Sequence, residues 1–298
     1  MIARILLILA LALAPTDLFA AKKAIVPPPG ATKPIMLGQS VTLQSKVLGE
    51  TRTINIWLPP SYTKGKTNYP VLYVIDGGLE QDFVHVVGTA RLGMSLGRNV
   101  EAIIVGIETK DRRKELAGPT QVAELLQRYP TAGKSADFRQ FIREDVKPYV
   151  EHSFRTNGQD AVMGESLAGL FILESWLREP SLFKSYAAIS PSLWWDNEGL
   201  SHQIAALSTE KMASQPRLYL NIANEGREMQ TGVDRVLGAL KSATDWCYAP
   251  RPDLTHATIY QQTYASAIQF LLPSPNAKET EGFEFKCTNR AAKSAHGD

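Results

Sequence analysis

Six mostly apolar runs separated by segments of helical period leave this chain few ways to fold. "YPVLYVIDGG" (Tyr69 to Gly78), "EAIIVGIE" (Glu101 to Glu108), "QDAVMGE" (Gln159 to Glu165), "SYAAISP" (Ser185 to Pro191), "PRLYLNIANE" (Pro216 to Glu225) and "DWCYAP" lack the polar alternation of a half-wet strand. Strands buried on both faces read this way. Between them lie "DFVHVVGTARLGMSL", "ADFRQFIREDVKPYVEHSF", "LAGLFILESWLREP", "EGLSHQIAALS" and "REMQTGVDRVLGALKS", with "HATIYQQTYASAIQFLL" after the last run. The earlier "VTLQSKV" and "RTINIWLPPSY" do alternate, as antiparallel strands do. The expected fold is α/β: a mostly parallel sheet of about eight strands, antiparallel at its start, with helices on both faces. No linker or repeat divides the 298 residues, so residues 21–273 are expected to form one domain, followed by a weakly periodic, charged tail over 274–298.

The chain begins with a basic residue at Arg4, an apolar stretch from Ile5 to Ala14, and small residues at Ala20 and Ala21 followed by lysines. That is the layout of a cleaved secretory signal over residues 1–20. About ten apolar residues fall short of the ~20 that span a bilayer. The mature protein is therefore expected to be exported and soluble, without stable membrane insertion, and periplasmic in a Gram-negative host. In an oxidising compartment Cys247 and Cys287 are expected to pair and tie the tail to the body; the alternative is two unpaired thiols. Lys and Arg total 32 against 30 for Asp and Glu, with no block of like charge, which argues against a nucleic-acid partner. Two cysteines and scattered histidines give no metal-ligand spacing, and no organic cofactor is implied.

One junction carries chemistry. "VMGESLAGLF" sets Ser166 between a buried strand and a helix, with Gly164 two before it, Ala168 two after, and Gly169 next. A serine on so tight a turn stands exposed at the C-terminal end of a sheet, and small neighbours let the turn close without clashes. The following helix brings its positive end and free N–H groups toward an anion formed there. Ser166 is the expected nucleophile. The base should come from the loop after the last strand, which selects His256 in "RPDLTHATIY" over His152, His202 and His296, read as surface residues. His85, after the first glycine loop, is expected to line the pocket. Glu225 directly after "RLYLNIAN" is the preferred acid, with Glu228 one helical turn on as the alternative, or no acid at all. An oxyanion hole would use the N–H of Leu167 and one from "VIDGGLEQ", where Gly77, Gly78 and Leu79 remain open choices.

These blocks together resemble the esterase D-like "putative esterase" family of α/β-hydrolases. The likeness runs from "INIWLPPSY" through "YPVLYVIDGG", "IIVGIE", "MGESLAGLF", "YAAISPSLWW" and "LYLNIANE" to "DLTHATIY", in the family's order. It implies the α/β-hydrolase fold, with Ser166 as nucleophile, His256 as base, and the "DGG" loop and Leu167 as oxyanion hole. The chain departs from the family at Glu165, where a histidine is frequent, and at Ala168, where glycine is. Members include siderophore esterases, feruloyl and acetyl-xylan esterases, S-formylglutathione hydrolases and mycolyltransferases.

Export, a single domain and "PSLWW" are most similar to the siderophore esterases that cut catecholate lactones such as enterobactin and salmochelin. The expected function is thus an exported serine ester hydrolase acting through an acyl-enzyme on a small-molecule ester, with a siderophore, ferric or free, as the foremost substrate. Trp194 and Trp195 would offer flat faces to aromatic rings, and Arg112 and Arg113 would attract an anionic ferric catecholate. The alternatives are a general, feruloyl- or acetyl-esterase, an acyltransferase on the same fold, and a binding protein without activity.

Overall fold

The two hydrophobic periods of the sequence mark two parts of one sheet. A computed structural model describes residues 33–207, 209–240, 245–275, 277 and 286–288. The expected signal segment and most of the tail lie outside the described residues. Residues 33–36 are exposed and without regular structure. From Leu37 onward, the strands are β1 (Gln39–Gln44), β2 (Thr51–Trp57), β3 (Tyr69–Ile75), β4 (Ile103–Ile107), β5 (Thr156–Glu165), β6 (Ser185–Ile189), β7 (Arg217–Asn221) and β8 (Trp246–Tyr248). They form one sheet in the order β1-β2-β4-β3-β5-β6-β7-β8. The alternating β1 and β2 pair antiparallel with each other, and β2 antiparallel with β4. Every pairing from β4 across to β8 is parallel.

Helices follow the strands: α1 (Phe83–Ser95), α2 (Arg112–Leu116), α3 (Ala123–Arg128), α4 (Ser135–Phe141), α5 (Lys147–Ser153), α6 (Leu167–Arg178), α7 (Trp195–Ala205), α8 (Thr209–Ala213), α9 (Arg227–Leu240) and α10 (His256–Leu271). The apolar runs lack alternation because both faces of the central strands are covered. Val71, Tyr73 and Ile75 of β3 point into a core shared with α4, α5, α6 and α9, while Leu72 and Val74 point into a second core under α1 and α10. Helix α6 has no solvent face over its first ten residues, Leu167 to Trp176.

Three details differ from the sequence expectation. The helix expected over "ADFRQFIREDVKPYVEHSF" is interrupted by a π turn at Ile142–Val146, which precedes Pro148 in the first turn of α5. Arg112 and Arg113, which lie outside every expected helix, open the short α2, whose start is capped by the Asp111 carboxylate accepting from Lys114 N at 3.1 Å. In α7, Asp196, Asn197 and Glu198 take φ of 53°, 50° and 61°, a left-handed kink at the start of the expected helix.

Helix α2 is anchored by a buried ion pair. Arg52 on β2, 1% exposed, donates to both oxygens of Glu115 on α2 at 2.7 and 2.9 Å, and to Glu108 O at 2.8 Å. Its guanidinium lies 5.5 Å from the ring centroids of Phe138 and Phe141. At the far edge, Cys247 of β8 is bonded to Cys287, and Thr288 N donates to Tyr248 O at 2.9 Å. This part of the tail is thereby fastened to the sheet.

Glu115→Ala would leave the buried Arg52 charge with only the more exposed Glu50 carboxylate, 2.8 Å from Nη1, so the loss is expected at or below the low end of the about 3–5 kcal/mol that breaking a buried pair from one side costs. Urea unfolding of the variant is expected to show that loss. Wild-type stability would mean that water reaches Arg52.

Candidate functional site

Ser166 occupies the turn between β5 and α6 with φ 62° and ψ −118°. A side chain in this region is strained, so the surroundings must hold it there. Ser166 N donates to Ile189 O at 3.0 Å, and Ser166 O accepts from Leu170 N at 2.9 Å and Ser192 N at 3.0 Å. A Cβ added at Gly164 would lie 2.6 Å from the Ala168 Cβ, and one at Gly169 would lie 2.9 Å from Ile189 O. The methyl of Ala168 is therefore accommodated because position 164 has no side chain. The two positions that cannot carry one are 164 and 169.

His256 is the first residue of α10, after Thr255, which exchanges capping bonds with Thr258. Its Nε2 lies 3.0 Å from Ser166 Oγ, and its Nδ1 lies 2.8 Å from Glu225 Oε2. Glu225 follows β7, and the loops bearing acid and base are joined by backbone bonds: Asn224 N to Leu254 O at 3.0 Å and Arg251 N to Ile222 O at 2.9 Å. The second Glu225 oxygen accepts from the hydroxyl of Ser190, which directly follows β6 with φ 43°. The carboxylate is thus held on both sides, and it fixes the imidazole tautomer with a proton on Nδ1 and a lone pair on Nε2. The Glu225 hydrogen bond raises the His256 pKa above its ordinary value against the opposing effect of burial, with the charges of Glu165 and Glu225 adding to the rise.

Other carboxylates surround this relay. Glu165 Oε1 lies 3.3 Å from His256 Nε2, and burial pushes its pKa up to about 7. Asp82, just before α1, is likewise pushed up to about 7, by burial first and then by the neighbouring charge of Asp76. Asp76, at φ 58° after β3, accepts from the Thr109 hydroxyl and pairs with Arg112 Nε at 2.8 Å. Ser192 Oγ stands 3.3 Å from Ser166 Oγ.

The structure brings Ser166, His256 and Glu225 into one hydrogen-bonded line. Glu228 lies exposed in the first turn of α9. Leu167 N–H heads α6, where first-turn donors have no intrahelical acceptor. Gly77 does not offer its N–H, which donates to Ile107 O at 2.8 Å. Gly78 N–H points to the Gln81 Oε1 at 2.9 Å, because Asn55 Nδ2 holds the Gly77 carbonyl the other way at 2.8 Å. His85 is exposed on α1 with its ring 4.4 Å from that of Tyr264. Trp194 is half-buried, whereas Trp195 is 4% exposed and donates from Nε1 to Gly118 O at 2.9 Å, so it packs the core and offers no face to a ligand. The charge of Arg112 is already matched by Asp76, and Arg113 sits over the Tyr129 ring at 4.7 Å. The sequence reading did not single out Ser190 and Ser192. The signal was their position in "ISPS", directly past the end of a buried strand. Among the described residues, no group of three or more His, Cys, Asp or Glu is arranged to hold a metal, and no helix is long and apolar enough to cross a membrane.

Residues 45–235 match the model of the family described as "Putative esterase". The ferri-bacillibactin esterase of Bacillus subtilis is 33% identical over 168 residues, 49% of this chain and 56% of that protein, so the match spans little more than half of the relative. The apo-salmochelin esterase of Escherichia coli is 25% identical over 258 residues, covering 78% of each chain. Among solved structures, an IroE-like serine hydrolase from Shewanella oneidensis superposes with a TM-score of 0.70 at 24% identity, covering 79% of this chain and 80% of the other. The BES protein of Bacillus cereus gives a TM-score of 0.71 at 20% identity over 83% of this chain and 99% of that one. The fold is that of the α/β-hydrolases.

In an NMR titration, the His256 imidazole is expected to lose its proton above the ordinary histidine value of about 6.5. Glu225→Gln should lower that midpoint, because it removes the acceptor that favours the imidazolium. An unchanged midpoint would mean that Glu225 does not hold the ring in solution.

Proposed function

Since the chain belongs to the "Putative esterase" family of ester hydrolases, we propose that it is a serine hydrolase working through an acyl-enzyme on Ser166. The observation that carries this reading is the relay from Glu225 to His256 at 2.8 Å and from His256 to Ser166 at 3.0 Å, ending on a serine held in a strained turn at a helix start. His256 Nε2 takes the Ser166 proton as Oγ attacks the substrate carbonyl. The oxyanion forms beside the Leu167 N–H. The second donor comes from the loop after β3, where the Gly78 N–H is held by Gln81 Oε1 at rest and the Leu79 N–H is the other choice. The imidazolium then gives its proton to the leaving alkoxide. Water, deprotonated by His256, attacks the acyl-enzyme, and the proton it gave returns to Ser166 as the acid departs.

The substrate we infer is the ester backbone of a siderophore, foremost a catecholate lactone. Its support is the naming of relatives as esterases of ferri-bacillibactin, apo-salmochelin and enterobactin, together with a half-buried Trp194 at the end of the β6 loop. Export to an oxidising compartment, the periplasm in a Gram-negative host, is part of the same reading. It rests on the first twenty residues and is supported by the Cys247–Cys287 bridge.

Ser166→Ala is expected to reduce kcat/KM for p-nitrophenyl butyrate by at least ~10³-fold, as loss of a hydrolase nucleophile does. The wild-type enzyme should favour cyclic and linear catecholate lactones over the nitrophenyl ester. Retained activity in the variant would overturn the serine mechanism. A preference for the simple ester would make the chain a general carboxylesterase.

A further inference from the structure

His256 Nε2 has two neighbours where a serine relay needs one. Ser166 Oγ lies 3.0 Å away and Glu165 Oε1 3.3 Å away. With Nδ1–H committed to Glu225, a neutral ring turns its Nε2 lone pair toward both. An ionised carboxylate facing that lone pair at this distance is repelled, so the contact is favourable only with a proton between the two atoms. Either the carboxylic acid donates to the ring or the imidazolium donates to the carboxylate. The backbone that carries Glu165 is fixed. This residue is the last of β5, its backbone is paired with Ile189 of β6, and it directly precedes the strained serine.

We propose that Glu165 is a positioning residue that acts through His256, sharing a proton with Nε2 in the resting site and setting the basicity of the imidazole. This rests on the reading of Ser166, His256 and Glu225 as the catalytic relay.

The surroundings of Glu165 favour that proton. Its side chain is 17% exposed, and burial is the largest influence on it. Asp82 before α1 and Glu225 after β7 add negative charge, while His256 of α10 and Arg112 of α2 oppose them. Arg112 is in turn bound to Asp76 after β3, and Tyr264 of α10 carries a hydroxyl that feels the Glu165 charge. Below the titration range of the pair, the shared proton occupies the lone pair that must accept the Ser166 proton, and the relay is blocked. As pH rises the proton leaves. Glu165 is then an anion beside the imidazolium that forms when Ser166 attacks, and it stabilises that cation until the proton passes to the leaving alkoxide. One charge thus delays the onset of activity and strengthens the base.

The test is the pH profile of kcat/KM on p-nitrophenyl butyrate for the wild type, Glu165→Gln and Glu165→Ala, with Ser166→Ala as the reference for the relay. In both Glu165 variants the midpoint of the acid limb should fall by about one to three pH units, the effect of one opposite charge at contact distance. The alkaline plateau should fall as well, because a less basic histidine is a weaker acceptor. An NMR titration of His256 in Ser166→Ala, with and without Glu165→Gln, should show the same downward shift without relying on turnover, and it scores the proposal if either variant is inactive. A lowered plateau with an unmoved acid limb and an unmoved His256 midpoint would reduce Glu165 to a packing residue and overturn the proposal. Activity retained in Ser166→Ala would overturn the relay itself, a separate outcome.

Discussion

The backbone at Ser166 is the constraint on which the site depends. A non-glycine residue at φ 62° is held only by what surrounds it: Ile189 on the neighbouring strand, Ser192 beyond that strand, and the first turn of α6. Those partners are themselves fixed because the sheet is parallel there and buried on both faces, so the strands cannot slip without moving their whole apolar sets. The strain presents the hydroxyl above the C-terminal edge of the sheet, where the loops after β3, β6, β7 and β8 converge. This is where open α/β sheets place their ligands.

Around that fixed hydroxyl the protein gathers negative charge. Glu165 at the end of β5, Asp76 and Asp82 in the β3–α1 connection, and Glu225 after β7 approach one another from three parts of the fold, and Arg112, anchored through Glu115 and Arg52, provides the nearby balancing cation. Burial raises the proton affinity of Glu165 and Asp82, which lessens the repulsion by keeping protons on the acids. His256 inherits the result, with the Glu225 carboxylate hydrogen-bonded to one side of its ring and the Glu165 carboxylate 3.3 Å from the other.

Much of this architecture was legible in the sequence because burial on both faces erases alternation, and erased alternation is itself a pattern. The order of strands and long helices follows from it. Short elements were not legible: α2 and α3, with five and six residues, are too brief to show a period. At the site, Ser166 was readable from Gly164 and Ala168, while His256 and Glu225 were readable as the polar residues past the ends of strands. What the sequence could not supply was the direction of individual groups. Gly77 looks like a free donor until β4 is seen to accept its N–H, and Trp195 looks like a ligand platform until α7 is seen to bury it. The second carboxylate on His256 was visible as the residue next to the serine, but only the turn geometry aims it at Nε2.

The central claim is that Ser166 alone carries the activated hydroxyl. The most direct measurement is intact-mass analysis and peptide mapping after treatment with an alkyl fluorophosphonate, with residual esterase activity followed in parallel. The account predicts one adduct per chain, on the peptide containing Ser166, with activity lost in proportion to labelling. Labelling at another residue, or full activity in the fully labelled protein, would contradict it.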